Sequence, residues 1–253
     1  MRRLFLIIFK LIIAAGVTYG QSTFSANRPG QVDNPDITPQ GNLMIETGFQ
    51  YGKTLGAINY LLPTTAIRYG LNRNIEISLN ADNIYQVESS LLGLTSYNIG
   101  SKIAICDQNK ILPKISFVSA FILPFTGVES LRPEHAGGVL QLAASHSIGN
   151  KFTLYANAGA IWNGNDSFPT YNYVLSLYFS PFDRFWAFAE FYGLIPEEGS
   201  RSEASDFGFS YQAGDNFQID LAVGGGPGNL KNNHYVQIGA AFQIVKNKNS
   251  VRE

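Results

Sequence analysis

The sequence predicts an all-β chain, a membrane-spanning, antiparallel, up-and-down β-barrel of about twelve strands. Three observations predict it. Segments of period-two alternation follow one another along most of the chain. Their apolar face is free of charge, while the opposite face carries acids, bases and amides. The connections between the segments alternate between short and long, as in barrels with tight periplasmic turns and longer outer loops.

MRR followed by LFLIIFKLIIAAGV, with small residues before Gln21, has the shape of a cleaved secretory signal peptide over residues 1–20. After it, no apolar run approaches the ~18 residues of a transmembrane helix. Residues 21–42, rich in Pro, Asn, Asp and Gly, read as irregular and extended. That segment is either a periplasmic lead or a plug folded into the lumen, with Arg28, Asp33 and Asp36 as its polar contacts.

The barrel is expected over 43–245, with a tail over 246–253. Its strands are read at 43–51, 64–71, 75–82, 97–105, 114–123 and 138–147, then at 152–162, 171–180, 185–193, 205–212, 217–223 and 234–244. Most approach the ~9–11 residues that a tilted strand needs to cross a bilayer. Short turns are expected at 72–74, 148–151, 181–184 and 213–216, with a slightly longer one at 106–113. The longer loops are read at 52–63, 83–96, 124–137, 163–170, 194–204 and 224–233.

IEISLNAD (75–82) poses the choice of faces. In a soluble sandwich its isoleucines would point into a core; in a membrane barrel they point out into lipid. The series Ile45, Phe49, Ile67, Ile77, Leu79, Leu177, Phe207 and Leu221 is uncharged, as a lipid face requires. The other face carries Glu46, Arg68, Glu76, Asn80, Lys102, Asn157, Glu190, Gln218 and Asp220. Water is therefore expected inside. Aromatic residues near strand ends, such as Tyr51, Trp162, Tyr171 and Phe217, suit interfacial girdles. QIGAAFQI (237–244) has the look of the C-terminal signal read by the outer-membrane assembly machinery.

Composition narrows the function classes. A net charge of −1 without any basic run excludes a nucleic-acid partner. Cys106 is the only cysteine, so no internal disulfide forms. Zinc spacings, phosphate loops and dinucleotide fingerprints are missing, so no cofactor or metal is expected. In SHS (145–147), His146 has only serines that point to the other face. No catalytic set is expected, and the chain does not read as an enzyme.

Several blocks together resemble a known family: NRPGQVDNPDITPQGNLMIETGFQY (27–51), AIRYGLNRNIEISL (66–79), IGSKIAICDQNKILPKISFVSAFILP (99–124) and AFAEFYGLIP (187–196). The chain resembles the outer-membrane transporter family catalogued under the phenol meta-degradation pathway, over nearly all of its mature length. The resemblance implies an outer-membrane barrel and a transport role without identifying a solute. The family commonly has Thr-Asp-Arg-Pro where this chain has Ala26-Asn27-Arg28-Pro29.

The candidate site is a lumen charge cluster of Glu46, Arg68, Glu76, Lys102, Glu190 and Asp220. Alternation puts Arg68 beside Glu46 and near Glu76, with Lys102 facing the Glu76 strand. Two readings stand: a salt-bridge plug that fills the barrel, or a charged constriction that selects permeants. The expected function is accordingly a transporter or channel for small solutes through a polar lumen. The alternative is a closed-lumen structural or lipid-facing barrel. The expected location is the outer membrane of a Gram-negative-type cell. The expected partners are outer-membrane lipids, a small solute of unspecified identity and, during biogenesis, the assembly machinery.

Overall fold

The computed structural model describes residues 24–226 and 232–246. The leader read over 1–20 and the tail from 247 onward lie outside the described residues. Period-two alternation does become strand: β1 (Leu43–Thr54), β2 (Ala57–Gly70), β3 (Ile75–Gln86), β4 (Leu91–Cys106), β5 (Lys114–Ile122) and β6 (Gly137–Ile148). The circuit continues with β7 (Phe152–Trp162), β8 (Thr170–Phe179), β9 (Phe185–Pro196), β10 (Ser202–Gly214), β11 (Phe217–Gly225) and β12 (His234–Ile244). Neighbours pair antiparallel, and β12 closes on β1 from Leu43↔Ile244 to Lys53↔His234. Closure leaves no strand edge unpaired.

The two faces differ as the alternation requires. Phe49, Ile77 and Phe207 are 52%, 42% and 64% exposed, whereas Glu76 and Asp206 on the inner face are 2% and 1% exposed. These apolar side chains therefore face outward, and these two carboxylates are enclosed. Among the hydroxyls on the outer face, Ser101 and Ser119 bond to each other at 2.8 Å, so neither asks a lipid tail for a partner.

The loop assignments at 52–63 and 83–96 are corrected. Strands β1 and β2 run on to a two-residue turn, Leu55-Gly56, with φ of 51° and 93°. Positive φ at both positions is the geometry of a tight hairpin, usually written Asn-Gly. The turn is tied sideways, since Leu55 N donates to Asn233 Oδ1 at 2.8 Å. Pro63 does not break β2, because it lies where the register slips between Leu61 and Thr64. A bulge is where a strand tolerates proline. Strands β3 and β4 likewise continue to a short turn at residues 87–90.

Residues 24–42 form no strand and lie inside the barrel, joined to its ladder by one bridge, Gln40↔Gly70. They are a plug.

Candidate functional site: the lumen and its plug

An irregular segment inside a closed barrel has backbone amides and carbonyls that water cannot fully reach, so other groups must satisfy them. The wall supplies them. Asn27 N donates to Glu46 Oε1 at 3.0 Å, Gln31 N to Glu190 Oε2 at 2.6 Å, Asp33 N to Asn157 Oδ1 at 2.7 Å and Thr38 N to Glu76 Oε2 at 2.7 Å. In return, the carbonyls of Ser25, Arg28, Asp33 and Pro35 accept from Arg68, Gln218, Asn157 and Ser116 at 2.6–3.2 Å. Gln237 donates to the carbonyl of Pro29. Pro29, Pro35 and Pro39 have no N–H, so the plug carries fewer donors to satisfy.

One wall holds the first charge cluster. Arg68 pairs with Glu46, and its other nitrogen lies 3.4 Å from Glu76 Oε2. Lys102 Nζ lies 4.0 Å from Glu76 Oε1 and reaches the plug at Asp36 O, 3.3 Å away. All four side chains are buried. The register gives the reason: Lys102 is directly opposite Glu76, while Arg68 is opposite Ser78 and Met44, one step diagonal to both acids.

The structure does not bring Glu190 and Asp220 into that cluster. Glu190 lies directly opposite Asp206 on β10, and both are buried without a basic side chain beside them. Asp206 accepts instead from the Tyr235 hydroxyl. Asp220 pairs at 3.2 Å with Arg28 of the plug. The single cluster read from the alternation is thus three groups: the Arg68 cluster, the Glu190–Asp206 pair and the Asp220–Arg28 pair. Parity alone could not separate them, because it fixes a face and not a position around the circumference.

Arg28 has its own seat. Its guanidinium lies over Gly48 of β1 and Gly239 of β12, which are direct partners across the closing seam. A Cβ at either glycine would overlap the guanidinium. Its NH2 meets Asp220 Oδ1, and its NH1 lies 3.4 Å from Thr64 Oγ1. Thr64, Gly48, Gly239 and Asp220 form one row across four strands.

The other two plug residues also reach the wall. Asp33 accepts from Gln141 at 2.8 Å, and Asp36 pairs with Lys114 at 2.6 Å. Burial acts to raise the Asp36 carboxyl, and the Lys114 ammonium beside it overcomes that and holds it below the usual carboxylate range. Asn27, at the position where the family commonly has Asp, donates to Asp33 at 2.7 Å and accepts from Lys102 at 3.4 Å.

Space remains on both sides of the plug. A cavity of about 370 Å³ lies against β2–β6, bordered by Asp82, Asn80, Asn98 and Val118 and floored by Arg28 and Lys102. A smaller one, about 160 Å³, lies against β7–β11 beside Tyr155, Tyr178 and Trp186. Arg28 and Asn27 border both, so the plug is the partition between them.

Sequence reading passed over Asp206, Gln141, Lys114 and Gln237. Asp206 was legible: with Phe207 and Phe209 outward, the residue before them must point inward. The others depend on the path of the plug, which has no periodicity to read. His146 sits opposite Leu154 on the outer face. Among the described residues, no group of His, Cys, Asp and Glu could hold a metal ion.

A family model described as "Putative MetA-pathway of phenol degradation" matches residues 26–247. Among curated proteins none matches. The structure is similar to that of the COG4313 outer membrane channel from Pseudomonas putida F1, with a TM-score of 0.63 and 13% identity over 85% of this chain and 99% of that one. It is also similar to the KdgM porin (TM-score 0.59, 7% identity, 80% and 99% covered). The NanC porin follows at a TM-score of 0.58 and 8% identity, with 80% and 100% covered. At such identities the likeness is one of fold: a closed outer-membrane β-barrel.

Proposed function

The chain belongs to the family described by the phenol-degradation MetA pathway, and from that premise we propose that it is an outer-membrane channel for small solutes whose lumen residues 24–42 close. The observation that carries this reading is the division of labour between wall and plug. The polar side chains of the wall bond the backbone of a separate segment as well as one another. A barrel built only as a scaffold could fill its lumen from its own strands, as small barrels do. Here a segment outside the strand circuit closes it, with cavities on either side.

The reading includes export through cleavage near Gln21, insertion by the assembly machinery and a non-enzymatic role. It is supported by similarity to outer membrane channels and porins. The substrate is a small polar solute that tolerates a charge-lined path.

Liposome swelling tests it. Vesicles carrying the purified protein should admit solutes of graded size faster when the plug is weakened by Arg28→Ala together with Asp36→Ala. Equal exclusion by the wild type and the double variant, with both folded, would favour the closed scaffold instead.

A further inference from the structure

We propose that the seat of the Arg28 guanidinium is a binding site for small guanidinium-bearing solutes in the open lumen, with Arg28 as its tethered occupant while the plug is in place. This rests on the channel reading and adds a solute class to it.

The seat is built for a planar cation. Gly48 and Gly239 face each other across the β1–β12 seam and leave a flat strip of backbone where any side chain would intrude. Asp220 closes one end of the strip, and Thr64 closes the other with a hydroxyl. A guanidinium lies flat and directs N–H groups to both ends, which a compact ammonium cannot do at once. With the plug seated, the Asp220 side chain is wholly buried and its charge faces Arg28 rather than water.

The surrounding wall has the same bias. Strands β7–β11 contain no Lys, Arg or His, and β12 has only His234 at its end, opposite Lys53. Their inner face nevertheless carries Glu190, Asp206 and Asp220, all buried. Glu190 Oε1, Asp206 Oδ1 and Asp220 Oδ2 are buried oxygens without a hydrogen-bond partner. Buried carboxylates need compensation, and these strands place no opposite charge beside them, only the Tyr235 hydroxyl against Asp206. Arg28 provides it from the plug at one place only. When the plug leaves, this half of the lumen is an acidic surface with a preformed cation seat.

Chemical rescue tests the seat in the full chain. Arg28→Ala empties it, and Arg28→Gln is the second variant. Ethylguanidinium at millimolar concentration should raise the melting temperature of either variant saturably. Ethylurea, its neutral isostere, and sodium chloride at equal ionic strength should not. The wild type, whose seat is filled, should not respond, and adding Asp220→Asn to Arg28→Ala should abolish the rescue. Should the variants refold poorly, the refolding yield with ethylguanidinium against ethylurea is the same readout. Equal responses to the cation and its isostere would overturn the proposal. The rescue needs no ion current, so a barrel that never conducts would sink the channel reading and leave the seat standing.

Discussion

Arg68 is held between two carboxylates where its side chain is only 3% exposed. Placing that charge in the barrel interior is tolerable because Glu46 and Glu76 are within reach and because Ser25 O, 2.8 Å away, takes a further N–H. Removing one partner of a buried network leaves the remainder uncompensated, which costs more than the network contributes when intact. Arg68→Ala should therefore lower stability by about 3–5 kcal/mol, read as an earlier midpoint of heat or urea unfolding in detergent. A midpoint equal to the wild type would show that the two acids are not buried as described. The Glu190–Asp206 pair predicts the opposite sign. Asp206→Asn keeps an acceptor for Tyr235 and offers Glu190 an N–H in place of a like charge. It should raise the melting temperature, whereas Asp220→Asn, which strips Arg28 of its partner, should lower it. A drop in both variants would contradict the account of the pair.

At the scale of the strand, alternation was the readable signal. The inward set Glu46, Arg68, Glu76, Lys102 and Asn157 and the outward set Phe49, Ile77, Leu79 and Phe207 both followed from parity, because a strand's two faces have different solvents. Two hairpins were not readable. Leu55-Gly56 lacks the Asn or Asp that marks a tight turn, and Pro63 looked like a loop residue until the bulge gave it a place in β2. The plug was readable only as irregular sequence, since its fold comes from wall side chains far away in the chain, such as Glu190 and Gln237. The face assignment itself can be checked. Leu79→Arg puts a charge toward lipid at the fifth of the twelve residues of β3, at a cost approaching the roughly 2–4 kcal/mol of the bilayer midplane; Asn80→Arg, one residue on, puts it in the lumen. The first should cut folding yield in liposomes far more than the second, and equal yields would reverse the faces.

At the scale of the whole molecule, one segment of the chain occupies the barrel that the rest of it builds. The barrel closes on itself through β1 and β12, and the segment immediately before β1 turns back inside it. The plug's anchors lie on both walls: Glu46 and Glu76 on one, Glu190 and Asp220 on the other. It is thus a cross-piece in the lumen, with the Arg28 seat at the seam. Its contacts are hydrogen bonds and ion pairs rather than a ladder, apart from the single Gln40↔Gly70 bridge. Such a segment can leave without unpairing any strand of the barrel. Single-channel recording in a planar bilayer tests this most directly, comparing the full chain with one in which residues 24–39 are removed behind the same leader. Little or no steady current is expected from the full chain, and stable, well-defined openings from the shortened one. Two folded barrels with the same conductance, or a shortened barrel that stays silent, would contradict this expectation.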